Sequence, residues 1–272
     1  MTKHIICYSG GHSSAVVAIE VVRRFGKENC VLLNHDINEN VENADIKRFK
    51  KEVADYLGME ITYANHPEWD KKDQFDVVVD AKAFKVGNGT ALCTHRLKTQ
   101  PFEKYLQENH PDKNVVIYYG FDGNEKHRIQ RRSSILGLQG YKTDYPLALW
   151  PREQRTIYKT IDIGIKRPLT YGDFKHANCT GCLKAGKQHW YIVYCTRPDI
   201  WQKAKDAEDA IGYSILKEAY LEELEPMFKK LKDYGVKTTE HEDPRTFFAA
   251  VRRSGILNIQ DDSDEKPCEC LF

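Results

Sequence analysis

Tyr8-Ser9-Gly10-Gly11-His12-Ser13-Ser14 is the stretch on which the reading of this chain turns. An apolar run, Ile5-Ile6-Cys7, precedes it, and an amphipathic run from Ala15 to Phe25 follows it. Strand, Ser/Gly-rich turn and helix together form a phosphate cradle. Two adjacent glycines let the backbone curl with its N–H groups pointing inward. Ser13 and Ser14 add hydroxyl donors, and the helix behind them aims its positive end at the anion. The loop lacks the Gly-Lys-Ser/Thr ending of a Walker A loop and the G-x-G-x-x-G of a dinucleotide fingerprint. A plain strand-to-helix turn with a serine cap is the alternative reading.

Outward from this loop, strand-like and helical runs alternate. His4–Ser9, Cys30–Asn34, Glu60–Ala64 and Asn114–Tyr119 read as strands. His12–Phe25, Glu42–Leu57 and Leu97–Asn109 read as helices, with Gly58 as a stop and Pro101 as a first-turn proline. This order predicts an α/β fold, a parallel twisted sheet with flanking helices of Rossmann-like type. Such sheets bind ligands at the carboxyl ends of their strands, near the switch in strand order. Ser9, Asp36 and Gly120 fall at those ends. Residues 66–91 have mixed signals and read as a long loop carrying a short strand, Phe75–Val79, and a Gly87-Asn88-Gly89 turn. Past about residue 165 the pattern becomes helical, with His189–Cys195, Asp199–Ile211, Ile215–Tyr234 and Pro244–Ser254 as helices. The expected division is a nucleotide-binding domain over 1–165 and a cysteine-containing helical region over 166–272 packed on it.

The chain has 272 residues, 41% apolar, which is enough for one large α/β domain with a helical appendage. Its 41 basic and 40 acidic residues balance, so any polyanion must bind a local patch. Lys47, Arg48, Lys50 and Lys51, with the cations of 126–132, are the candidate phosphate track. No signal peptide is visible, and no apolar run nears the roughly 20 residues of a membrane span. A cytoplasmic protein without a membrane partner is expected. Eight cysteines in a reducing compartment argue for metal, cluster or redox use rather than disulfides. Cys7 and Cys30 sit in apolar runs and read as core residues.

Asp36, just past the second strand, is placed to accept from a ribose hydroxyl or an adenine amino group; a solvated turn or cap is the rival reading. After the fourth strand comes Gly120-Phe121-Asp122-Gly123-Asn124-Glu125-Lys126-His127-Arg128. Arg128, Arg131 and Arg132 recur at i, i+3 and i+4 and share a helix face suited to phosphate or sulfate oxygens. Cys179-Thr180-Gly181-Cys182 is a C-x-x-C knuckle, the spacing that lets two thiolates face one metal. Cys93 and Cys195 are further cysteines outside this knuckle. Zinc, with His176 or His189 as nitrogen ligand, and a redox dithiol are the alternatives to an iron–sulfur cluster. Arg96, Lys98, Lys184 and Lys187 flank these cysteines and are placed to offset cluster charge or bind a sulfonucleotide. Cys270, in the terminal Cys268-Glu269-Cys270, is a candidate nucleophile.

Ser9-Gly10-Gly11-His12-Ser13-Ser14 after the first strand resembles the pyrophosphate-binding (PP-) loop of the adenine nucleotide alpha-hydrolase superfamily, and within it the phosphoadenosine phosphosulfate (PAPS) reductase family. Ser13 stands where the pyrophosphatases of the superfamily usually carry Asp. The 120–128 segment is similar to the family's Gly-rich turn leading to a Glu and an Arg beside the substrate, which casts Glu125 and Arg128 as catalytic. Residues 92–101, Leu92-Cys93-Thr94-His95-Arg96-Leu97-Lys98-Thr99-Gln100-Pro101, resemble the Cys-Cys-x-x-x-Lys-x-x-Pro segment of iron–sulfur adenylylsulfate reductases, with one cysteine in place of the pair. There a later C-x-x-C completes a [4Fe–4S] site. Glu269-Cys270-Leu271 resembles the family's near-terminal Glu-Cys-Gly, with Leu in place of Gly.

The resemblance implies an enzyme that binds ATP or PAPS at the loop, through Ser9 to Ser14, Asp36, Gly120, Arg131 and Arg132. Its implied chemistry is sulfur transfer with Mg²⁺, or sulfonucleotide reduction, beside a cluster held by Cys93, Cys179 and Cys182. A tRNA or DNA sulfur-modification component and a non-catalytic, metal-stapled nucleotide-binding protein are the other classes. A nucleic-acid acceptor, a partner subunit, an electron- or sulfur-donor protein and a second copy of the chain are the candidate partners.

Overall fold

The computed structural model describes residues 2–85 and 91–258. Gly87-Asn88-Gly89 and the Cys268-Glu269-Cys270 tail, including the proposed nucleophile Cys270, lie outside the described residues.

Five strands make one all-parallel sheet: β1 (Lys3–Cys7), β2 (Cys30–Asn34), β3 (Ile61–Tyr63), β4 (Val115–Tyr118) and β5 (Lys142–Asp144). Their spatial order is β3-β2-β1-β4-β5. The order reverses at β1, so the crevice between the carboxyl ends of β1 and β4 is the switch point where such sheets bind ligands. Parallel strands are covered on both faces, and Ile5, Ile6, Leu32, Val115 and Ile117 are fully buried. β5 has no apolar run to announce it. Its pairing with β4, Val116 opposite Lys142, creates it.

Helix α1 (His12–Phe25) follows β1 and is buried along most of its length. Its Glu20, 1% exposed, accepts from both the N–H and the hydroxyl of Thr156 and from the Ile157 N–H, and so clamps that later segment onto the helix. α2 (Ala44–Leu57) is capped by the Asn43 side chain and ends at Gly58 as expected. Next come α3 (Gln74–Asp80), α4 (Leu92–Thr94) and α5 (Gln100–Asn109). Then follow α6 (Lys126–Leu138) and α7 (Pro146–Leu149), and finally α8 (Lys187–Thr196), α9 (Pro198–Ile211), α10 (Leu221–Asp233) and α11 (Pro244–Arg253). The last four helices share an apolar core that also takes in Ile37, Val41 and Phe75. Among the described residues no helix is long and apolar enough to cross a membrane.

Three expectations need correction. Phe75–Val79 is not a strand. Asp73 caps it, accepting from Phe75 and Asp76 while the Asp76 carboxylate takes the Asp73 N–H, and this capping box starts a helix despite three consecutive valines. Helical backbone begins before Leu97: α4 is joined to α5 by a π-turn, His95–Thr99. Pro101 has no N–H for the Leu97 carbonyl, which accounts for the widened turn. The helix expected from Ile215 starts at Leu221, because the buried Glu208 carboxylate accepts from the N–H of Ile215 and of Leu221 and holds the intervening residues as a loop.

Candidate functional site

The loop after β1 is shaped by contacts at its back. Gly10 has φ +78°, and a Cβ there would meet Lys50 Cγ at 2.7 Å and Ile46 Cγ2 at 2.9 Å. Only glycine combines that dihedral with that clearance. Gly120, at the end of β4, approaches from the other side. A Cβ on it would lie 2.8 Å from the Ser14 backbone nitrogen. The β4 turn thus rests on the first turn of α1, and sequence-predicted Ser13, Ser14 and Gly120 meet at the switch point. Ser14 Oγ donates to the Gly11 carbonyl at 2.8 Å, and Ser9 Oγ donates to Ser14 Oγ at 3.3 Å.

Residues of 159–171 complete the loop's surroundings, and sequence reasoning missed them. The His12 N–H donates to the Tyr171 hydroxyl at 3.1 Å. His12 Nε2 accepts from the Thr160 N–H at 3.2 Å. Burial, then the charges of Arg167 and Lys159, hold the His12 imidazole below its usual pKa. Two cations therefore lie near the loop, with the Asp162 carboxylate opposing them. Lys159 and the pair Lys166-Arg167 were the signal available in the sequence.

Glu125 and Arg128 form an ion pair on the first turn of α6, and the Arg128 guanidinium lies 4.1 Å from the Phe121 ring centre. Glu125 Oε2 also accepts from the Asp122 N–H, which fixes the turn after Gly120. Arg132 sits 5.9 Å from the Tyr119 ring, and Arg131 is exposed. Asp36 is exposed at the end of β2. Its carboxylate pairs with Lys47 at 3.0 Å, and Asn65 clamps its main chain.

The proposed basic track on α2 does not hold. Lys47 is paired with Asp36, Arg48 with Asp45 and Glu52, and Lys51 with Asp55. Lys50 is 1% exposed and bonds Glu42 at 2.8 Å. Helical i,i+3 and i,i+4 spacing supplies the carboxylates for Arg48 and Lys51, and residues ahead of the helix supply those for Lys47 and Lys50.

Cys93, Cys179 and Cys182 are all half-buried around Lys98. Burial pushes the Cys93 thiol up to about 11, helped by the charges of Cys179 and Cys182 and opposed by Lys98 and Lys184. Burial likewise raises Cys179, again against Lys98. The Lys98 ammonium is held above its usual range by Cys179 first, then by Cys93, Cys182 and Glu42, against the cost of its own burial. Glu42 belongs to both neighbourhoods: it pairs with Lys50, whose stem supports Gly10, and its charge reaches Lys98 and Cys179.

Helix α3 organises the thiols. Gln74 Nε2 donates to the carbonyls of Thr180 at 2.8 Å and Gly181 at 3.2 Å, and the Thr180 N–H donates to Val41 O at 2.8 Å. On its other side, Val77 and Val78 pack with Leu92, next to Cys93. The donor chemistry suits a soft metal or an iron–sulfur cluster, with Lys98 to offset charge. The sulfurs are not drawn to one point, however: among the described residues no group of three His, Cys, Asp or Glu side chains is spaced to hold a metal ion.

His189 is not available to zinc, because Nδ1 bonds Glu240 at 2.7 Å and Nε2 accepts from the Cys182 N–H at 3.3 Å. Cys195 packs on the C-terminal core beside Tyr191 and Lys232, and it is not among the charges that act on Cys93, Cys179 or Lys98. Cys7 is pushed up to about 12 and Cys30 to about 11 by burial, as befits inert core thiols.

No protein-family model matches the chain. The uncharacterized nin region protein ORF290 of Escherichia phage lambda is 25% identical over 210 residues, which span 68% of this chain and 67% of that protein. No solved structure matches it.

Proposed function

We propose that the chain is a PP-loop enzyme of the PAPS reductase type, which binds ATP or PAPS at Ser9–Ser14 and carries out sulfur chemistry at the neighbouring thiols. The observation that carries this reading is the meeting of two conformationally special backbone segments, Ser9–Ser14 and Gly120, at the switch point of a parallel sheet. The N–H groups of that turn and the α1 N-terminus favour an anion. Arg128, Lys159 and Arg167 add charge that would grow in value as a leaving pyrophosphate or sulfite develops negative charge.

With ATP, an acceptor oxygen attacks the α-phosphorus, pyrophosphate leaves, and a sulfur nucleophile then displaces AMP. With PAPS, a thiolate attacks the sulfonyl sulfur and adenosine bisphosphate leaves; a second thiol then releases sulfite and forms a disulfide. Lys98 opposes part of the burial cost that raises the Cys179 thiol, and so favours the thiolate that either route requires against that cost. Cys93, Cys179 and Cys182 would hold a [4Fe–4S] cluster, which would supply an iron with one open position for sulfide or substrate.

The test is product analysis of anaerobically purified protein, given ATP with Mg²⁺ or PAPS with a dithiol. AMP and pyrophosphate, or adenosine bisphosphate and sulfite, are the expected products, lost in Ser14→Ala and Arg128→Ala. Nucleotide binding without turnover under both conditions would leave only a nucleotide-binding protein. Iron and sulfide analysis of the same sample tests the cluster, and a zinc-loaded colourless protein rejects it.

A further inference from the structure

A cavity of about 910 Å³ opens in the C-terminal helical region, with no residue of α2 in its lining. Lys175, Lys184, Lys187, Arg245 and Arg252 line it. None of these five has an ion-pair partner among the described residues, whereas the cations of α2 are all paired. The acids on its wall are Glu218 and Glu240, and Glu240 is already engaged by His189. The cavity therefore carries a local excess of positive charge in a chain whose net charge is +1. Met227, Phe248 and Val251 give it an apolar part of its lining. The Lys187 ammonium stands 5.6 Å from the centre of the Phe248 ring, and the first turn of α8 borders the same space with no side-chain cap on its amides.

The Phe248 ring, among cations without ion-pair partners, suits a planar ring that carries phosphate. The volume falls within the range of small-ligand sites and exceeds what a lone inorganic anion needs. Asn178 and Asn258 on the wall offer amides that can donate to and accept from a base edge. We propose that this cavity takes one nucleotide residue, free or within a single strand, with its ring on Phe248 and its phosphate among Lys175, Lys184, Lys187, Arg245 and Arg252. Cys182 lines the same cavity, so the seated nucleotide lies beside one of the candidate sulfur-handling thiols. Its identity as the sulfur acceptor rests on the function proposed above; its binding does not.

The experiment is fluorescence anisotropy on the full chain with labelled oligo(dT), and competition by thymidine monophosphate. Pyrimidine probes avoid the adenine site at the loop. Saturable binding is expected, weakened roughly tenfold or more in the double variant K187E/R252E and less in Phe248→Ala. The slope of log affinity against log salt should fall by about 0.7 for each strand phosphate contact removed. Competition by the mononucleotide marks a free-nucleotide site, and binding of the oligonucleotide alone marks a strand site; either outcome supports the proposal. The double variant changes exposed or half-buried rim residues, and an unchanged circular dichroism melt verifies its fold.

Ser14→Ala should bind oligo(dT) as the parent does. If the loop handles neither ATP nor PAPS while this binding persists, the functional reading fails and the cavity assignment stands. The assignment is overturned if neither probe binds, if K187E/R252E binds them unchanged, or if only a synthetic peptide of residues 259–272, rich in Asp and Glu, is captured.

Discussion

At the switch point the decisive groups are main-chain atoms: the Gly10 turn, the amides of His12 to Ser14, and the Gly120 backbone against Ser14. Around Lys98 they are side chains delivered by α4, the π-turn and the 179–182 knuckle. A backbone site is built by neighbours in sequence and can be specified by a few glycines. A side-chain site exists only after segments far apart in the chain have packed. The two sites are joined by Lys50, Glu42 and His35. Burial holds the His35 imidazole at about 4, against the pull of the Ala64 carbonyl and aided by the charges of Lys98 and Lys50.

The buried pair is where that junction breaks most easily. Lys50→Met leaves Glu42 buried without its partner and should cost about 3–5 kcal/mol in urea unfolding. Adding Glu42→Gln to it should restore much of the loss. A Lys50→Met cost below about 1 kcal/mol would mean that the pair does not tie the two sites together.

His35 gives the next effect. Its folded pKa lies below the unfolded value of 6.5, so the folded state resists a proton that the unfolded chain accepts. Its contribution is complete above pH 6.5 and is lost as pH falls towards about 4. The full shift corresponds to about 3 kcal/mol at most. His35→Gln keeps a donor for Ala64 O and should flatten the stability profile in that window, measured by denaturant midpoints from pH 4 to 7. An unchanged profile would assign the acid limb to other groups.

Gly120→Ala tests the backbone site alone. The new Cβ meets main chain rather than a flexible side chain, so about 1–3 kcal/mol of strain is expected, with a matching loss of nucleotide affinity. Gly123, three residues on, has nothing within 4 Å of an added Cβ, and Gly123→Ala should behave as the parent does. Equal losses in the two variants would remove the case for a tight approach of β4 to α1.

What was legible in the sequence follows the same division. The parallel sheet and the turns at Gly10 and Gly120 were readable because strand burial, glycine pairs and helix periodicity are local signals. The role of α3 was hidden. Phe75-Asp76-Val77-Val78-Val79 has β-branched residues in strand-like order, and the helix depends on the Asp73 cap and on packing of both faces, against Leu92 and against the knuckle. Of the C-terminal cavity's excess charge, only Lys184 and Lys187 stood out in the sequence, through their place beside the knuckle. The cavity's five cations are spread over residues 175 to 252, while the conspicuous run at 47–51 turned out to be neutralised by its own helix and its neighbours.

Tyr171 offers the smallest and most discriminating effect, because it comes from the cysteine-bearing half and touches the loop. Its hydroxyl accepts the His12 N–H, one of the donors that a bound phosphate would claim. His241 Nε2 bonds the Tyr171 carbonyl at 2.8 Å, and Arg167 lies 5.6 Å from its ring, so the residue has contacts of its own outside the loop. Tyr171→Phe leaves the ring and frees the amide. If the hydroxyl stands where a phosphate oxygen goes, ATP or PAPS should bind a few-fold more tightly, in keeping with about 0.5–1 kcal/mol for one neutral hydrogen bond no longer displaced. If affinity falls instead, the hydroxyl contacts the nucleotide itself. The C-terminal half would then supply a binding group as well as thiols, and the division between backbone site and side-chain site would no longer follow the sequence.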